Sequence, residues 1–201
     1  MVTVTLLGSA QDGGVPQVGC NCCIDLQKRY PVSIGLTDSD GGTHLFEATR
    51  HLGEQLRIWG VNSVDSLFLT HAHFGHVDGL GLFGKETMNA KGVSLHCSKK
   101  MLDLIERTPN WSILLSQGVF SPRTASMVHL PGVSVEAIEV PHRAELSDMH
   151  AYLIKAEKTL LFLPDHDTWQ ETLREHDLRA WLNHLEVDIA LIDGTFFSSD
   201  E

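Results

Sequence analysis

Short runs of apolar residues along the chain predict a protein rich in β-strands. β-branched and apolar side chains either follow one another or alternate with polar ones, which are the patterns of buried and half-buried strands. The strands predicted in this way cover residues 2–8, 33–38, 43–48, 65–71, 92–97, 133–140, 150–156, 159–165 and 187–193.

A second pattern, with apolar residues three or four apart, predicts helices between the strands. It is clearest over residues 168–185, where charged side chains occupy the face opposite the apolar one. The apolar positions there are Trp169, Leu173, Trp181, Leu182 and Leu185. Thr168 is the predicted N-cap of this helix, and Glu171 follows where it completes a capping box. Further helices are predicted at about 50–59, 78–90 and 98–107.

Strands grouped in runs, with helices between the runs, are typical of a layered α/β or α+β domain. The chain of 201 residues is long enough to bury the core of one such domain, and it contains no repeat or linker that would divide it. Residues 117–132 have no clear periodicity, so we expect an excursion near one rim of the sheet. The prediction is therefore a single domain over residues 1–201, either whole or short of its C-terminal end.

Composition and charge argue against several classes of function. The hydrophobic content of 42% is that of a soluble globular protein, and the net charge of −11 repels phosphate backbones, so we expect no nucleic-acid partner. No apolar run reaches the roughly 18 to 20 residues needed to cross a bilayer. The N-terminus also lacks the basic start and cleavage site of a signal peptide. We therefore expect a cytoplasmic protein without a membrane partner.

Three of the four cysteines form a cluster near the N-terminus, namely Cys20, Cys22 and Cys23. Cysteines this close in sequence pair poorly with each other as disulfides. In a reducing compartment such a cluster suggests thiolate ligands for a metal ion. Cys97, alone after an apolar run, is predicted to lie in the core.

Metal-ligating residue types follow directly after buried strands. The run that ends at Leu69 leads to His71 and His73, a later run leads to His142, and another leads to Asp165. Side chains placed in this way converge at one edge of a sheet, where rigid strands support them. Three neutral imidazoles with an open fourth position describe a catalytic zinc site, and Asp165 could supply that fourth ligand or bridge to a second ion.

Several motifs follow one another along the chain in a recognisable order. A Gly-rich opening with clustered cysteines, LLGSAQDGGVPQVGCNCC, is followed by LFEA, THAHFGHVDG, VPHR, FLPDHD and LIDGTFFSSDE. In order and spacing they resemble the metallo-β-lactamase superfamily, within it the branch of pyrroloquinoline-quinone biosynthesis protein B and the phosphodiesterases of phosphonate breakdown. The resemblance implies an αββα fold, a sandwich of two mixed β-sheets with helices on the outer faces and a metal site at one edge.

The resemblance also implies a role for each residue that matches a family motif. The first metal site is matched by His71, His73 and His142, the bridging carboxylate by Asp165, and the histidine of the second site by His76. Glu47 matches an acidic residue that orients a ligand through its outer ring nitrogen. In the related phosphodiesterases a cysteine run holds a structural zinc, which implies the same for the cysteine cluster here.

Two departures from the family pattern affect the second site. Gly75 stands where many members have an aspartate that binds the second ion, and the sequence ends at Glu201, before the family's last histidine. Asp78 is a candidate substitute, although a charge at the start of a helix explains it more simply. With His76 and a share of Asp165 as the remaining ligands, we expect one well-occupied ion and at most a weak second one.

These observations predict a metal-dependent hydrolase in which Asp165 and His76 are catalytic. A metal-bound hydroxide, aimed by Asp165, would attack an ester, lactone or phosphodiester. Zinc is the expected metal, with iron or manganese as alternatives, and Arg143 would favour an anionic small-molecule substrate.

Two other functions stay open at this point. Histidines with one carboxylate and open positions also suit ferrous iron, and resemblance to the quinone-cofactor branch then favours an iron-dependent oxidoreductase of quinone-cofactor biosynthesis. Gly75 favours instead a non-catalytic small-molecule binding or carrier protein with a degenerate metal site. Apolar residues in predicted loops, such as Phe74, are compatible with a homodimer.

Overall fold

Two mixed β-sheets, packed face to face, form the centre of the molecule. The computed structural model describes residues 1–21, 27–143, 145–174 and 177–195. Within these ranges the first sheet has six strands, which lie in chain order. They are Thr3–Gly8 (β1), Ser33–Thr37 (β2), Thr43–Phe46 (β3), Ser66–Phe68 (β4), Val93–His96 (β5) and Phe120–Arg123 (β6). β1, β2 and β3 pair antiparallel, whereas β3 to β6 are parallel neighbours.

The second sheet also mixes antiparallel and parallel pairs. Its strands within the described chain are Met127–Leu130 (β7), Val133–Glu139 (β8), His150–Lys155 (β9), Thr159–Leu163 (β10) and Ile189–Ile192 (β11). They lie in the order β11-β10-β9-β8-β7, and β10 and β11 run parallel while the other neighbours run antiparallel.

The layer between the sheets is apolar because alternate residues of each strand point into it. Its buried side chains include Ile34, Leu36, Phe46, Phe68, Val135, Tyr152, Ile154 and Phe162. The rings of Phe46 and Phe68 stack with centroids 4.6 Å apart, and truncating a buried Phe of this kind to Ala costs roughly 3 to 5 kcal/mol. The Tyr152 hydroxyl donates a hydrogen bond to the Leu69 carbonyl at 2.7 Å, which ties β9 to the segment that carries His71.

Helices cover the outer face of each sheet, so the layers are α, β, β and α. Leu52–Trp59 (α1), Lys99–Arg107 (α3) and Pro109–Ser116 (α4) pack on the first sheet, near the one-turn helix Phe74–Val77 (α2) and a 3-10 helix at Leu80–Phe83. Trp169–Leu173 (α5) and Leu178–His184 (α6) pack on the second sheet. The predicted αββα fold is confirmed. No helix of the described residues combines the length and the apolar character that a membrane crossing requires.

The predicted continuous helix over residues 168–185 is wrong, because the structure divides it into α5 and α6. Arg174 ends α5 with a φ of 54°, which α-helical residues do not adopt. Asp177 then caps α6, since its side chain accepts a hydrogen bond from the Ala180 N–H at 2.7 Å. The Thr168 side chain makes no capping hydrogen bond, so the predicted capping box does not form.

Two other segments also differ from the prediction. The helix expected over residues 78–90 is shortened to the 3-10 turn Leu80–Phe83, and Gly79, Gly81 and Gly84 around this turn disfavour a longer helix. The stretch 117–132 contains two strands, β6 and β7, that its irregular pattern did not indicate. The outer strand β7 alternates exposed and half-buried residues, and such a strand gives only a weak apolar signal.

The strand ends bring the predicted ligands to one edge of the sandwich. β4 leads to His71 and His73, β8 leads to His142, and β10 leads to Asp165. β8 and β10 run in the same direction, since both are antiparallel to β9 between them. The ends of these strands therefore meet beside the end of β4.

Candidate metal centre

Four predicted ligands converge at this edge of the sandwich. His71, His73, His142 and Asp165 each direct one donor atom at a common centre, and these atoms all lie within 4.8 Å of one another. We call these four residues the first donor set. The separations are 2.8 Å from His71 Nε2 to His73 Nδ1, 3.2 Å from His142 Nε2 to His73 Nδ1, and 3.2 Å from His71 Nε2 to Asp165 Oδ2.

These separations are close to those of a tetrahedral zinc site. Ligand atoms about 2.1 Å from a zinc ion, at tetrahedral angles, are about 3.4 Å from each other. The His142 Nε2 to Asp165 Oδ2 distance is 3.4 Å, two other donor pairs are 3.2 Å apart, and the His71 to His73 pair is closer, at 2.8 Å. Neutral imidazole nitrogens and a carboxylate oxygen are also donors that zinc prefers. The first donor set therefore fits a divalent ion such as zinc.

A second group of donors shares Asp165 with the first. Asp12, His76 and Asp165 could hold a further ion, and we call them the second donor set. His76 Nε2 lies 3.3 Å from Asp12 Oδ1 and 3.3 Å from Asp165 Oδ2. The predicted ligand His76 is thus in place, and Asp12 joins it from the loop after β1.

Comparison with known families agrees with this geometry. The sequence pattern of the β-lactamase superfamily domain matches residues 40–201. The chain belongs to the metallo-β-lactamase superfamily.

Solved structures of this superfamily share the fold. Zinc-bound PqqB from Methylobacterium extorquens aligns with 100% of this chain and 75% of its own, with a TM-score of 0.75 and 20% identity. A diphosphatase from the PhnP family aligns with 94% of this chain and 87% of its own, with a TM-score of 0.66 and 20% identity. These similarities support the predicted resemblance to the PqqB and PhnP branch.

A curated protein matches a smaller part of the sequence. An octanoyltransferase from Porphyromonas gingivalis (strain ATCC BAA-308 / W83) is 36% identical over 80 residues, which is 37% of this chain. The matched part is 16% of that protein's length, so this chain spans only a small fraction of the curated relative.

Each histidine of the superfamily site has an oxygen atom near its outer ring nitrogen. Partners of the first donor set are Thr70 Oγ1 at 2.9 Å from His71 Nδ1, Glu145 Oε2 at 3.2 Å from His73 Nε2, and Asp167 Oδ1 at 2.8 Å from His142 Nδ1. Such partners fix the ring orientation and make the inner nitrogen a better ligand. They are the outer layer that a functioning metal site requires.

Glu47 takes the corresponding place behind His76, as the resemblance implies. Its Oε2 lies 3.5 Å from His76 Nδ1, and its Oε1 accepts a hydrogen bond from the Thr70 N–H at 3.3 Å. The Glu47 side chain is fully buried, and its φ of 70° is unusual for a residue other than glycine. A buried carboxylate on a strained backbone, directly beneath the site, is consistent with a functional constraint at this position.

The charges around the donor sets favour a cation. Burial lowers the pKa of His71 to about 4, so its imidazole is neutral near pH 7 and offers a lone pair. Burial would raise the pKa of Asp165, but His71 and His76 hold it well below its usual range. Burial would likewise lower the pKa of His76, yet the charges of Glu47, Asp12 and Asp165 raise it. A divalent ion would displace the His76 proton.

Sequence reasoning missed Asp12, Asp167 and Glu145. Asp12 lies in the SAQDGG segment of the Gly-rich opening, for which the sequence predicted no ligand. A signal for Asp167 was present in the DHD motif, because alternate residues after a strand face the same way and Asp165 was already assigned. The exposed Glu145 lies in a loop and offered no such signal.

Other candidate residues lie outside the donor sets. Asp78 forms an ion pair with Arg50 at 2.7 Å and therefore does not replace the missing carboxylate. Cys97 is buried, as expected, and burial raises the pKa of its thiol to about 12. Cys20 takes part in a disulfide bond and so offers no thiolate in this state. Cys22 and Cys23 lie outside the described residues, and a structural zinc at the cysteine cluster stays a prediction.

Proposed function

We propose that the protein is a metal-dependent hydrolase acting on an ester, lactone or phosphodiester bond of a small molecule. The observation that carries the proposal is the convergence of His71, His73, His142 and Asp165 on one centre, with their donor atoms all within 4.8 Å of one another. A bound divalent ion would supply a Lewis acid that polarises the scissile group and acidifies a water molecule. The second donor set argues against a degenerate site, because it adds further ligands on the other side of Asp165.

Exposure indicates the side from which a substrate would approach. The side chains of His71 and His76 are buried, and they form the floor of the site. Asp12 is 48% exposed, Asp165 is 22% exposed and His73 is 20% exposed. A substrate would therefore approach across Asp12, Asp165 and His73, while the floor excludes water from the opposite side.

Asp165 is the residue that we assign the central role. Its Oδ2 lies between the two donor sets, 3.2 Å from His71 Nε2 and 3.3 Å from His76 Nε2. Because its carboxyl group stays ionised, it can hold the attacking water by accepting a hydrogen bond. The exposed Arg143 follows His142 directly and would attract an anionic group of the substrate.

Similarity to the PhnP-family diphosphatase supports the choice of a phosphoester among the substrates. The name of the octanoyltransferase relative supports keeping acyl compounds in the same panel. A suitable panel is bis(4-nitrophenyl) phosphate, 4-nitrophenyl butyrate and a γ-lactone. It covers the three bond types with products that are measured directly.

The test measures metal content and hydrolysis on the same preparations. We expect zinc in the untagged protein by mass spectrometry, and turnover of at least one substrate in the panel. A His71→Ala/His73→Ala variant should lose the first ion and at least about a hundredfold of activity. A His129→Ala variant, which removes an exposed histidine of β7, is the matched control.

Three outcomes would contradict the proposal. Zinc-loaded protein that hydrolyses no member of the panel contradicts the hydrolase, and tight ligand binding without turnover favours a carrier. Iron in the purified protein with iron-dependent oxygen uptake would favour the oxidoreductase instead. Activity that survives in the His71→Ala/His73→Ala variant would show that the first donor set does not perform the reaction.

A further inference from the structure

We propose that Asp12 supplies the carboxylate of the second metal position in place of the aspartate missing at position 75. This inference rests on the metal centre of the proposed function, and not on the reaction that the centre catalyses. It assigns a metal ligand to the loop after β1, outside the matched family segment of residues 40–201.

The first argument is the state of His76. Its side chain is fully buried, and its ring nitrogens contact carboxylates at 3.3 to 3.5 Å without a well-formed hydrogen bond. His76 Nε2 faces Asp12 Oδ1 and Asp165 Oδ2, each at 3.3 Å, so three possible ligand atoms converge on one point. A buried nitrogen without a well-formed hydrogen bond is costly, and a cation between these atoms would bind all three.

The second argument is the space beside Gly75. A Cβ atom at this position would lie 2.1 Å from Asp12 Oδ1 and 2.3 Å from Asp12 Cγ. It would also lie 2.7 Å from Asp12 Cα, so shortening the Asp12 side chain would not make enough room. The Asp12 carboxylate therefore occupies the place next to α2 from which an aspartate at 75 would reach the ion. Residue 75 must be glycine for Asp12 to lie there.

The third argument is the support of the loop that carries Asp12. The N–H groups of Ser9 and Ala10 both donate to the Tyr30 carbonyl, at 3.1 and 2.9 Å. Gly14 N–H donates to the Gln11 carbonyl at 2.8 Å, which closes a turn with Asp12 at its tip. These bonds hold the carboxylate in place before any ion binds, and preorganisation of this kind favours binding.

The experiment measures zinc stoichiometry and affinity by calorimetry and mass spectrometry on the chelator-treated protein. We expect two ions in the unaltered chain. In Asp12→Asn the first ion should remain, and the affinity for the second ion should fall at least about a hundredfold. Losing a group that only hydrogen-bonds to a metal ligand typically costs less than this. Asp78→Asn is the matched control, since Asp78 is a carboxylate near the site that pairs with Arg50, and it should retain both ions.

A second variant tests the packing argument. Gly75→Ala should displace Asp12 and cause the same loss as Asp12→Asn, and combining the two changes should cause no further loss. Gly81→Ala is its control, because a Cβ at Gly81 meets no atom within 4 Å. Hydrogen exchange gives an independent readout: zinc should slow exchange over residues 9–15 in the unaltered chain, and not in Asp12→Asn.

The outcomes separate this inference from the proposed function. Equal second-ion affinity in Asp12→Asn and in the unaltered chain would overturn the role of Asp12 alone. A single ion in the unaltered chain would do the same and leave the first donor set intact. Absence of any bound ion would overturn both proposals.

Discussion

The two donor sets differ in how the chain builds them. In the first set every ligand follows a strand of the sandwich, and four of the distances between donor atoms are 2.8 to 3.4 Å. In the second set only Asp165 follows a central strand, while His76 lies on the one-turn helix α2 and Asp12 on a loop. The difference teaches that the strands of the sandwich fix one position, whereas the other depends on the contact between a loop and the short helix α2.

The largest expected effect comes from the residue that the sets share. Asp165→Asn keeps the shape of the side chain but removes the charge that lies beside His71, His142 and His76. Zinc affinity at both positions should fall at least about a hundredfold each, because a ligand outweighs the outer partners whose loss costs 10- to 100-fold. Calorimetric titration of the variant with zinc measures both affinities. A loss confined to one position would contradict the shared role.

A smaller effect is expected from the partners behind the first set. Asp167→Asn weakens the 2.8 Å contact to His142 Nδ1 and should reduce zinc affinity of the first position about 10- to 100-fold. Glu145→Gln is the matched comparison, since the Glu145 side chain is 60% exposed, against 35% for Asp167, and its contact to His73 is longer, at 3.2 Å. We expect less than about a threefold change there, because a longer contact made by a more exposed side chain contributes less.

The same titrations can contradict this ranking. If Asp167→Asn and Glu145→Gln change zinc affinity equally, the exposure and contact length of the carboxylate do not decide its contribution. If either variant lowers the affinity for the second ion more than that for the first, the two metal positions are coupled through more residues than Asp165.

The contrast between the sets also explains what the sequence could predict. His71, His73, His142 and Asp165 could be assigned because strand patterns mark the ends after which they stand, and strand ends of the same direction share an edge. Asp12 could not be assigned, because its place depends on the path of a loop that the Tyr30 carbonyl and Gly75 define. Loop paths have no periodic signal.

The same limit applied to the fold. The strand and helix patterns predicted a layered α/β or α+β domain, and the family resemblance implied the αββα order, but neither predicted the break between α5 and α6. Its apolar residues keep helical spacing across the break, while a positive φ at Arg174 and the cap at Asp177 stop the helix locally. The spacing of apolar residues indicates which face of a helix is buried, but it does not indicate where the helix ends.

A smaller effect than those of Asp165→Asn and Asp167→Asn is expected from a histidine outside both sets. His96 is buried, stacks on Phe68 with ring centroids 4.3 Å apart, and leaves its Nδ1 without a hydrogen bond. Burial lowers its pKa from 6.5 to about 4. The folded chain therefore binds this proton less readily than the unfolded chain, and the stability contribution of neutral His96 is lost as pH falls from 6.5 towards 4.

For metal-free protein, this linkage predicts that the free energy of unfolding falls by about 1 kcal/mol from pH 7 to pH 5.5 because of His96. His96→Phe removes the titrating group and keeps a flat ring against Phe68. Urea unfolding of both proteins at the two pH values measures how much unfolding free energy each one loses. The metal-site histidines titrate in both proteins, so their contribution cancels when the two losses are subtracted. An identical loss of stability in the two proteins would mean that His71 and its neighbours alone cause the acid sensitivity, and that the metal edge is the pH-dependent part of the fold.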